Sequence, residues 1–178
     1  MPTAVVSRPE ATEYAPFYAN YIALVPDGNI ADVLEEQRRE LVALLRDTSE
    51  EQGNTRHAPY TWSVKEVIGH ITDAERVFGY RALCIARAEQ TLLPGFDENA
   101  YVRSAGFDAY RLSDLVSEFD FLRRSHVCFF RGLNAAAAQR RGTANNAAVS
   151  VRALAYIIAG HTRHHHLILR KRLGKASA

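Results

Sequence analysis

The sequence Gly160-His161-Thr162-Arg163-His164-His165-His166-Leu167-Ile168-Leu169 contains four of the seven histidines of the chain. An α-helix turns by about 100° per residue, and on such a helix four apolar residues fall within about 60° of His161: Leu154, Ile157, Ile158 and Ile168. His161 and His165 flank the centre of this apolar stripe, His164 lies at its edge, and His166 is expected to face solvent. The stretch predicts an amphipathic helix with two inward imidazoles.

Two histidines four residues apart on a helix can direct their ring nitrogens at one cation. His161 and His165 therefore indicate part of a metal site. The same positions also suit two core histidines that hydrogen-bond to neighbouring groups, and this helix by itself does not separate the two interpretations. An expression tag is disfavoured, because the histidine run is interrupted and apolar helical residues follow it.

Length and composition indicate one globular domain, residues 1–178, with enough apolar residues for a sizeable core: 47% of 178. The 22 Lys and Arg nearly balance the 20 Asp and Glu, which argues against nucleic acid or an anionic membrane as partner. No signal sequence or membrane-spanning run is visible, so we expect a cytoplasmic protein. Cys84 and Cys128 lie in apolar helical segments, and buried reduced thiols are expected rather than a disulfide.

Four long amphipathic segments are visible, and the sequence shows no strand pattern. An N-terminal arm, residues 1–29, precedes the four segments. A connection of some 23 residues, 89–111, lies between the second and third segments. Connections this long are usually functional or partly structured. A linker, residues 134–146, precedes the fourth segment. The predicted helices are Ile30 to about Ser49, Ser63 to Ala88, Ser113 to about Leu133, and Val151 to about Leu173. This pattern predicts an all-α four-helix bundle.

The second predicted helix begins with a capping box formed by Ser63 and Glu66. His70 lies on the shoulder of its apolar face, and Glu66 and Asp73 share that shoulder, which makes both carboxylates candidate catalytic residues. Alternatively, Glu66 could serve only in the helix cap. Asp73 could be a surface carboxylate that pairs with Arg76 or Arg81. In the third helix, His126 has no polar neighbours in the sequence pattern and is interpreted as a core or boundary residue.

Several motifs together resemble the DinB/YfiT-like superfamily, in the right order along nearly the whole chain and most weakly over the third helix. They are Trp62 to Arg76, Tyr80-Arg81-Ala82-Leu83, Leu93-Pro94-Gly95-Phe96, and Ala155 to His161 together with His165. The resemblance implies an up-down-down-up bundle, often paired as a homodimer, that holds a divalent metal, Zn or Ni. The implied ligands are His70, His161 and His165, although the adjacent His164 leaves a one-residue alternative for the third.

The resemblance implies several possible activities. Members are described as metal-dependent hydrolases, relatives use low-molecular-weight thiols for transfer or isomerisation, and others have no known activity. Three histidines leave open metal positions for water or a substrate atom. In hydrolysis Glu66 or Asp73 could act as base or orient a ligand. In thiol chemistry Arg76, Arg81 or Arg163 could bind a substrate carboxylate.

We favour a hydrolase acting on a small molecule. The alternatives are a thiol-dependent S-transferase or isomerase, and a non-catalytic, stress-related binding or dimerisation module. In the last case the metal would be absent or structural, and a structural zinc site normally has a fourth protein ligand. A fourth side-chain ligand would therefore favour the non-catalytic module.

Overall fold

The computed structural model describes residues 7–175. In order, its α-helices are α1 (Ala19–Ala23), α2 (Ile30–Arg46), α3 (Glu50–Asn54), α4 (Val64–Ala86), α5 (Glu98–Ala105), α6 (Leu112–Arg131), α7 (Ala135–Gln139) and α8 (Val151–Arg172). Short 3-10 helices cover Ala11–Glu13, Pro16–Tyr18 and Phe107–Ala109. Two antiparallel strands, β1 (Arg141–Ala144) and β2 (Ala147–Ser150), form a hairpin before α8. None of the described helices has the length and hydropathy needed to cross a membrane.

The capping residues start the long helices where the sequence predicts. The Ser63 hydroxyl accepts a hydrogen bond from the Glu66 amide at 3.1 Å, and the Glu66 carboxylate accepts one from the Ser63 amide at 2.6 Å. Ser150 caps α8 by accepting from the Ala153 amide at 3.0 Å. These contacts satisfy amides that have no partner inside the helix. All four long helices end one to three residues earlier than predicted, because the sequence marks helix ends less sharply than helix starts.

The four long helices, α2, α4, α6 and α8, form a bundle with up-down-down-up topology, as predicted. Contacts between helix ends show the directions: Arg131 with Asp32 at 3.1 Å, Arg172 with Trp62 at 2.9 Å, and Lys65 with Asp108 at 3.4 Å. The first makes α2 antiparallel to α6, the second makes α4 antiparallel to α8, and the third makes α4 parallel to α6. Because α4 and α8 are neighbours, side chains from the middle of each meet inside the bundle.

The core has two apolar halves with polar side chains between them. One half contains the end of α4, the end of α6 and the start of α8. The other contains the end of α2, the start of α4 and the start of α6. Each fully buried Leu, Ile or Phe in these halves contributes roughly 1.5 to 3 kcal/mol. The polar residues between the halves are therefore held by two well-packed apolar layers.

The connections contain more structure than the sequence predicts. Residues 89–111 include α5, and Leu93 pairs with the hairpin by donating to the Thr143 carbonyl and accepting from the Asn145 amide, both at 3.0 Å. The sequence predicts a linker over residues 134–146 without assigning its structure, and this part of the chain contains α7 and most of the hairpin; the prediction that the chain has no strands was wrong. Its turn, Asn145-Asn146, has φ of 50° and 59°, which suits asparagine. The strands have four residues each, too few for a clear alternating pattern.

Both cysteines are free, but the prediction that both thiols are buried was wrong. Cys84 is half-buried and Cys128 is exposed. Cys128 belongs to the apolar run of the third helix, yet it points away from the face that packs in the bundle. An apolar neighbourhood in the sequence therefore did not identify the buried side of α6 at this position.

Candidate metal centre

Three histidines meet where α4 and α8 pass each other in the bundle. One ring nitrogen from each of His70, His161 and His165 lies within 4.8 Å of the other two. The Nε2 atoms of His70 and His161 are 2.9 Å apart. His161 and His165 are one turn apart on α8, and their ring centroids are 4.6 Å apart. The structure thus brings together the three side chains that the sequence singles out; we call them the histidine cluster.

The chemistry of the histidine cluster fits a divalent metal. Burial lowers the pKa of His70 to about 4, and burial together with the neighbouring imidazoles lowers the pKa values of His161 and His165. All three rings are therefore neutral at pH 7 and have lone pairs available for a cation. Imidazole nitrogens are common ligands of Zn and Ni. No other His, Cys, Asp or Glu within residues 7–175 joins the group, so it offers three ligands.

A cavity of about 270 Å³ opens on the histidine cluster. His70 and His161 form part of its wall, and much of the rest is aromatic: Phe17, Tyr18, Tyr21, Phe78 and Phe96. The Tyr21 ring lies 5.6 Å from that of His161. On the other side, the Trp62 ring packs on His70 at 4.8 Å. Trp62 and His165 line a second cavity of about 270 Å³, so the cluster is flanked by aromatic rings and borders a cavity on each side.

The N-terminal arm supplies part of this wall because α1 packs closely on α8. A Cβ at position 160 would collide with the Tyr21 carbonyl, so Gly160 permits the approach. The arm is also anchored by Glu13, which accepts hydrogen bonds from the Ser150 hydroxyl at 2.6 Å and the Arg152 guanidinium at 2.8 Å. Arg152 is the main cause that lowers the pKa of Glu13 to about 2. An ion pair at the start of α8 thus holds the segment that covers the histidine cluster.

The two predicted catalytic carboxylates lie near the cluster in sequence but have other partners. Glu66 completes the capping box and also accepts a hydrogen bond from Arg56 at 3.0 Å. Asp73 pairs with Arg76 at 3.3 Å, and burial raises its pKa against the effect of that arginine. Neither side chain lines the cavity. Their catalytic roles stay predictions.

The three arginines considered for substrate or cofactor binding have different environments. Arg76 is ion-paired with Asp73 and Glu118. Arg163 pairs with Glu40 at 3.0 Å and lines a separate cavity of about 620 Å³ next to residues 23–29. Arg81 alone of the three lines the cavity that opens on the histidine cluster.

The prediction that His166 faces solvent was wrong. His166 is only 2% exposed, and its Nδ1 lies 3.5 Å from a carboxylate oxygen of Glu40 on α2. Burial lowers its pKa to about 4. A single apolar stripe underestimates the buried surface of α8, because this helix packs against α2 as well as α4. His164 is half-buried as expected, with its ring 5.4 Å from that of Tyr21.

Sequence reasoning missed a buried polar network next to the histidine cluster. Arg123 is fully buried and donates to both carboxylate oxygens of Glu75 at 2.7 Å, to Thr162 at 2.7 Å and to Gln37 at 3.3 Å. His126 lies 3.0 Å from Glu75, so the prediction that it has no polar neighbour was wrong. A signal was present, because Gln37, Glu75 and Arg123 each lie three or four residues from core positions of their own helix. We call these five residues the arginine network.

Comparisons with known proteins agree with this architecture. The family model of the DinB superfamily matches residues 33–169. The fold is similar to that of YfiT from Bacillus subtilis, described as a probable metal-dependent hydrolase with an unusual four-helix bundle topology, with a TM-score of 0.71 and 17% identity over 94% of each chain. A search of curated proteins found no match. Because the family model covers most of the chain, including all three clustered histidines, the protein belongs to the DinB superfamily.

Proposed function

We propose that the protein is a metal-dependent hydrolase that acts on a small molecule and holds one divalent ion, Zn or Ni, on His70, His161 and His165. The observation that carries the proposal is the convergence of three neutral imidazoles, two buried (His70 and His161) and one half-buried (His165), with the two buried rings beside a cavity. A closed structural site would normally have a fourth protein ligand, whereas the described cluster offers three. The fold shared with YfiT, itself described as a probable metal-dependent hydrolase, gives additional support.

In such a site the metal would lower the pKa of a bound water toward neutrality and polarise the bond to be cleaved. The protein's own residues keep the ligands neutral and oriented, since Trp62 and Tyr21 pack against the imidazole rings. The aromatic wall limits the access of bulk water, which strengthens electrostatic interactions in the cavity. Asp73 or Glu66 serves as the base or orients the ligands. The raised pKa of Asp73 suits proton transfer better than an ordinary exposed aspartate would.

The proposal is tested by metal analysis of protein purified without a metal-affinity column, followed by a screen of ester, amide and thiol substrates. We expect about one divalent ion per chain, hydrolysis that stops on chelation, and loss of both in His161→Ala. The matched control is His164→Ala, three residues away on α8, which should keep the metal. Activity only with added low-molecular-weight thiol would instead indicate the S-transferase or isomerase, and metal binding without any turnover would favour the non-catalytic module.

The proposed base is tested separately from the ligands. Asp73→Asn or Glu66→Gln should lower kcat about a hundredfold or more while leaving the metal content unchanged. Glu66→Gln also weakens the cap of α4, so its thermal stability must be measured alongside. A loss of metal in Asp73→Asn would place this carboxylate among the groups that hold the ligands rather than among the proton acceptors.

We also propose that the protein works as a cytoplasmic homodimer. Support comes from the pairing of bundles that the resemblance to the superfamily implies, and the exposed side chains of Phe17 (72%) and Phe121 (70%) are available for such an interface. Light scattering of the metal-loaded protein should give twice the mass of the chain. The mass of one chain would contradict the proposal without affecting the metal site.

A further inference from the structure

Arg81 is a buried cation without a carboxylate partner. The residue is only 4% exposed. One of its terminal nitrogens donates to the Pro94 carbonyl at 2.6 Å, and the guanidinium lies beside the Tyr18 hydroxyl and over the Phe78 ring. Within residues 7–175, no acidic side chain forms an ion pair with it. An unpaired charge taken out of water is costly, so this arrangement needs an explanation.

Arg81 also lines the cavity of the histidine cluster and faces it from the same helix. It follows His70 by eleven residues, which is about three turns and returns to nearly the same face of α4. Ala74 lies between them, and its methyl group leaves the space open. The Arg81 guanidinium carbon is 5.6 Å from the Phe78 ring centre, and that centre is 6.2 Å from the His161 ring centre. Phe78 is thus close to both the cation and His161, and all three line the same cavity.

The charges around the cavity select the kind of ligand that fits. Its lining contains one permanent cation, Arg81, and one carboxylate, Glu98, which is exposed. A volume of about 270 Å³ is at or below the low end of the roughly 300–1,000 Å³ of ligand pockets. One guanidinium beside an aromatic wall suits a small monoanion with an apolar body.

We propose that the cavity binds a small aromatic or apolar carboxylate, with its carboxylate on Arg81 and its reacting group toward His70 and His161. The orientation of the reacting group rests on the proposed function. The carboxylate site does not, because it needs only Arg81 and the aromatic wall. A guanidinium matches a carboxylate through two parallel hydrogen bonds, and Phe78 and Phe96 enclose the apolar part of the ligand.

The two other arginines considered from the sequence do not fit this role. Arg76, on the same helix, already has two acidic partners, and Arg163 lines a different cavity. A purely structural role of Arg81 is the competing explanation, because its bond to Pro94 fixes the segment that carries Phe96. The experiment must therefore separate loss of a carboxylate site from loss of the cavity.

The test measures the binding of phenylacetate and of its neutral isostere phenylacetamide to chelator-treated protein by calorimetry or NMR. We expect the wild-type protein to bind phenylacetate at least tenfold more tightly than phenylacetamide, since a hydrogen-bonded charge contributes more than a neutral group. Arg81→Gln should abolish this preference while phenylacetamide still binds, and Arg81→Lys should keep part of it. The matched control Arg76→Gln, five residues earlier, should keep all of it.

Two results would overturn the inference: no preference for phenylacetate in the wild-type protein, or an unchanged preference in Arg81→Gln. If Arg81→Gln loses both ligands or fails to fold, the wild-type and Arg81→Lys measurements decide in its place. Because the protein is metal-free, the result is independent of the proposed function. If the protein binds metal but shows no preference for phenylacetate over phenylacetamide, only the carboxylate site is contradicted. If it shows the preference but never binds metal, only the proposed hydrolase is contradicted.

Discussion

The arginine network and the histidine cluster lie side by side in the middle of the same bundle, yet they differ in how their polar atoms are satisfied. Thr162 of the network directly follows His161 of the cluster. In the network every donor group of Arg123 has an acceptor, and its charge is balanced by Glu75. In the cluster three uncharged imidazoles turn nitrogens toward one another, and no acidic side chain of residues 7–175 joins them.

The way in which their polar atoms are satisfied distinguishes the arginine network, a structural element, from the histidine cluster, a candidate binding site. Burial alone would raise the pKa of Glu75, but Arg123 and His126 outweigh it and keep its pKa below the usual value. The network is thus complete within the protein and fixes the register of four helices. In the histidine cluster, by contrast, the Nε2 atoms of His70 and His161 are 2.9 Å apart, and one ring nitrogen of each of the three histidines lies where a single cation could bind all three. Four predictions test the distinction on the scale of the free energy of unfolding.

The largest effect is expected in the arginine network. Arg123→Met leaves the Glu75 carboxylate buried and unpaired, which should lower the free energy of unfolding by about 3–5 kcal/mol and the melting temperature by roughly 10 °C. Urea and thermal unfolding followed by circular dichroism measure both. The double variant Arg123→Met with Glu75→Leu should recover much of the loss, because it removes both charges. A single variant as stable as the wild type would show that the network is not a structural element.

Metal removal should have a somewhat smaller effect. A metal at a thousandfold excess over its Kd stabilises the folded chain by about 4 kcal/mol, and the apolar halves should keep the metal-free protein folded. Chelation should therefore lower the melting temperature without loss of helical circular dichroism. Metal binding requires neutral imidazoles, and burial lowers the pKa of His70 to about 4 and those of His161 and His165 below their ordinary value, so the metal contribution should persist below pH 6.5 and fade as the pH falls toward 4. A chain that unfolds in chelator would make the metal a structural element and contradict the distinction.

Glu13 is a second buried carboxylate whose partners, Ser150 and Arg152, lie within the protein. Its contribution to the free energy of unfolding should change in a different pH range. Its pKa is about 2 in the folded protein against 4.5 as the ordinary value, so its stabilisation is present above pH 4.5 and is lost as the pH falls toward 2. Glu13→Gln should cost up to about 3 kcal/mol at pH 7. Urea unfolding at pH 7 and pH 3 should show a smaller difference between variant and wild type at the lower pH. An equal difference at both values would mean that the Arg152 pair contributes little.

The smallest effect on stability should come from single histidines in the metal-free protein. We expect His164→Ala and His165→Ala to change the free energy of unfolding by about 1 kcal/mol or less, since neither ring completes a buried hydrogen-bond network. Their metal affinities should differ greatly, because His165 belongs to the cluster and His164 does not. Elemental analysis should find the metal lost in His165→Ala and kept in His164→Ala and His166→Ala. Equal losses would mean that the ligand at the third position is wrongly assigned.

The sequence predicts the long helices and the histidine trio well because both depend on regular spacing. The Ser63 and Ser150 caps and the four-residue spacing of His161 and His165 are local signals, and the bundle preserves them. The hairpin was missed because its strands are short and gain their support from Leu93. The burial of His166 and the pairing of Glu75 with Arg123 depend on which helices become neighbours. Those contacts join residues that are distant in the chain, and one sequence does not display them.

The close packing of α1 on α8 at Gly160 also determines when the cavity can form during synthesis. Tyr21 leaves the ribosome early, but the surface it packs on is made about 140 residues later, and contacts of such long range form late in folding. Until α8 is complete, His70 has neither its partner histidines nor the arm that walls the cavity. Of the three clustered histidines, a nascent chain therefore contains only His70. Binding of the proposed metal would consequently belong to the same late step as the closing of the cavity wall.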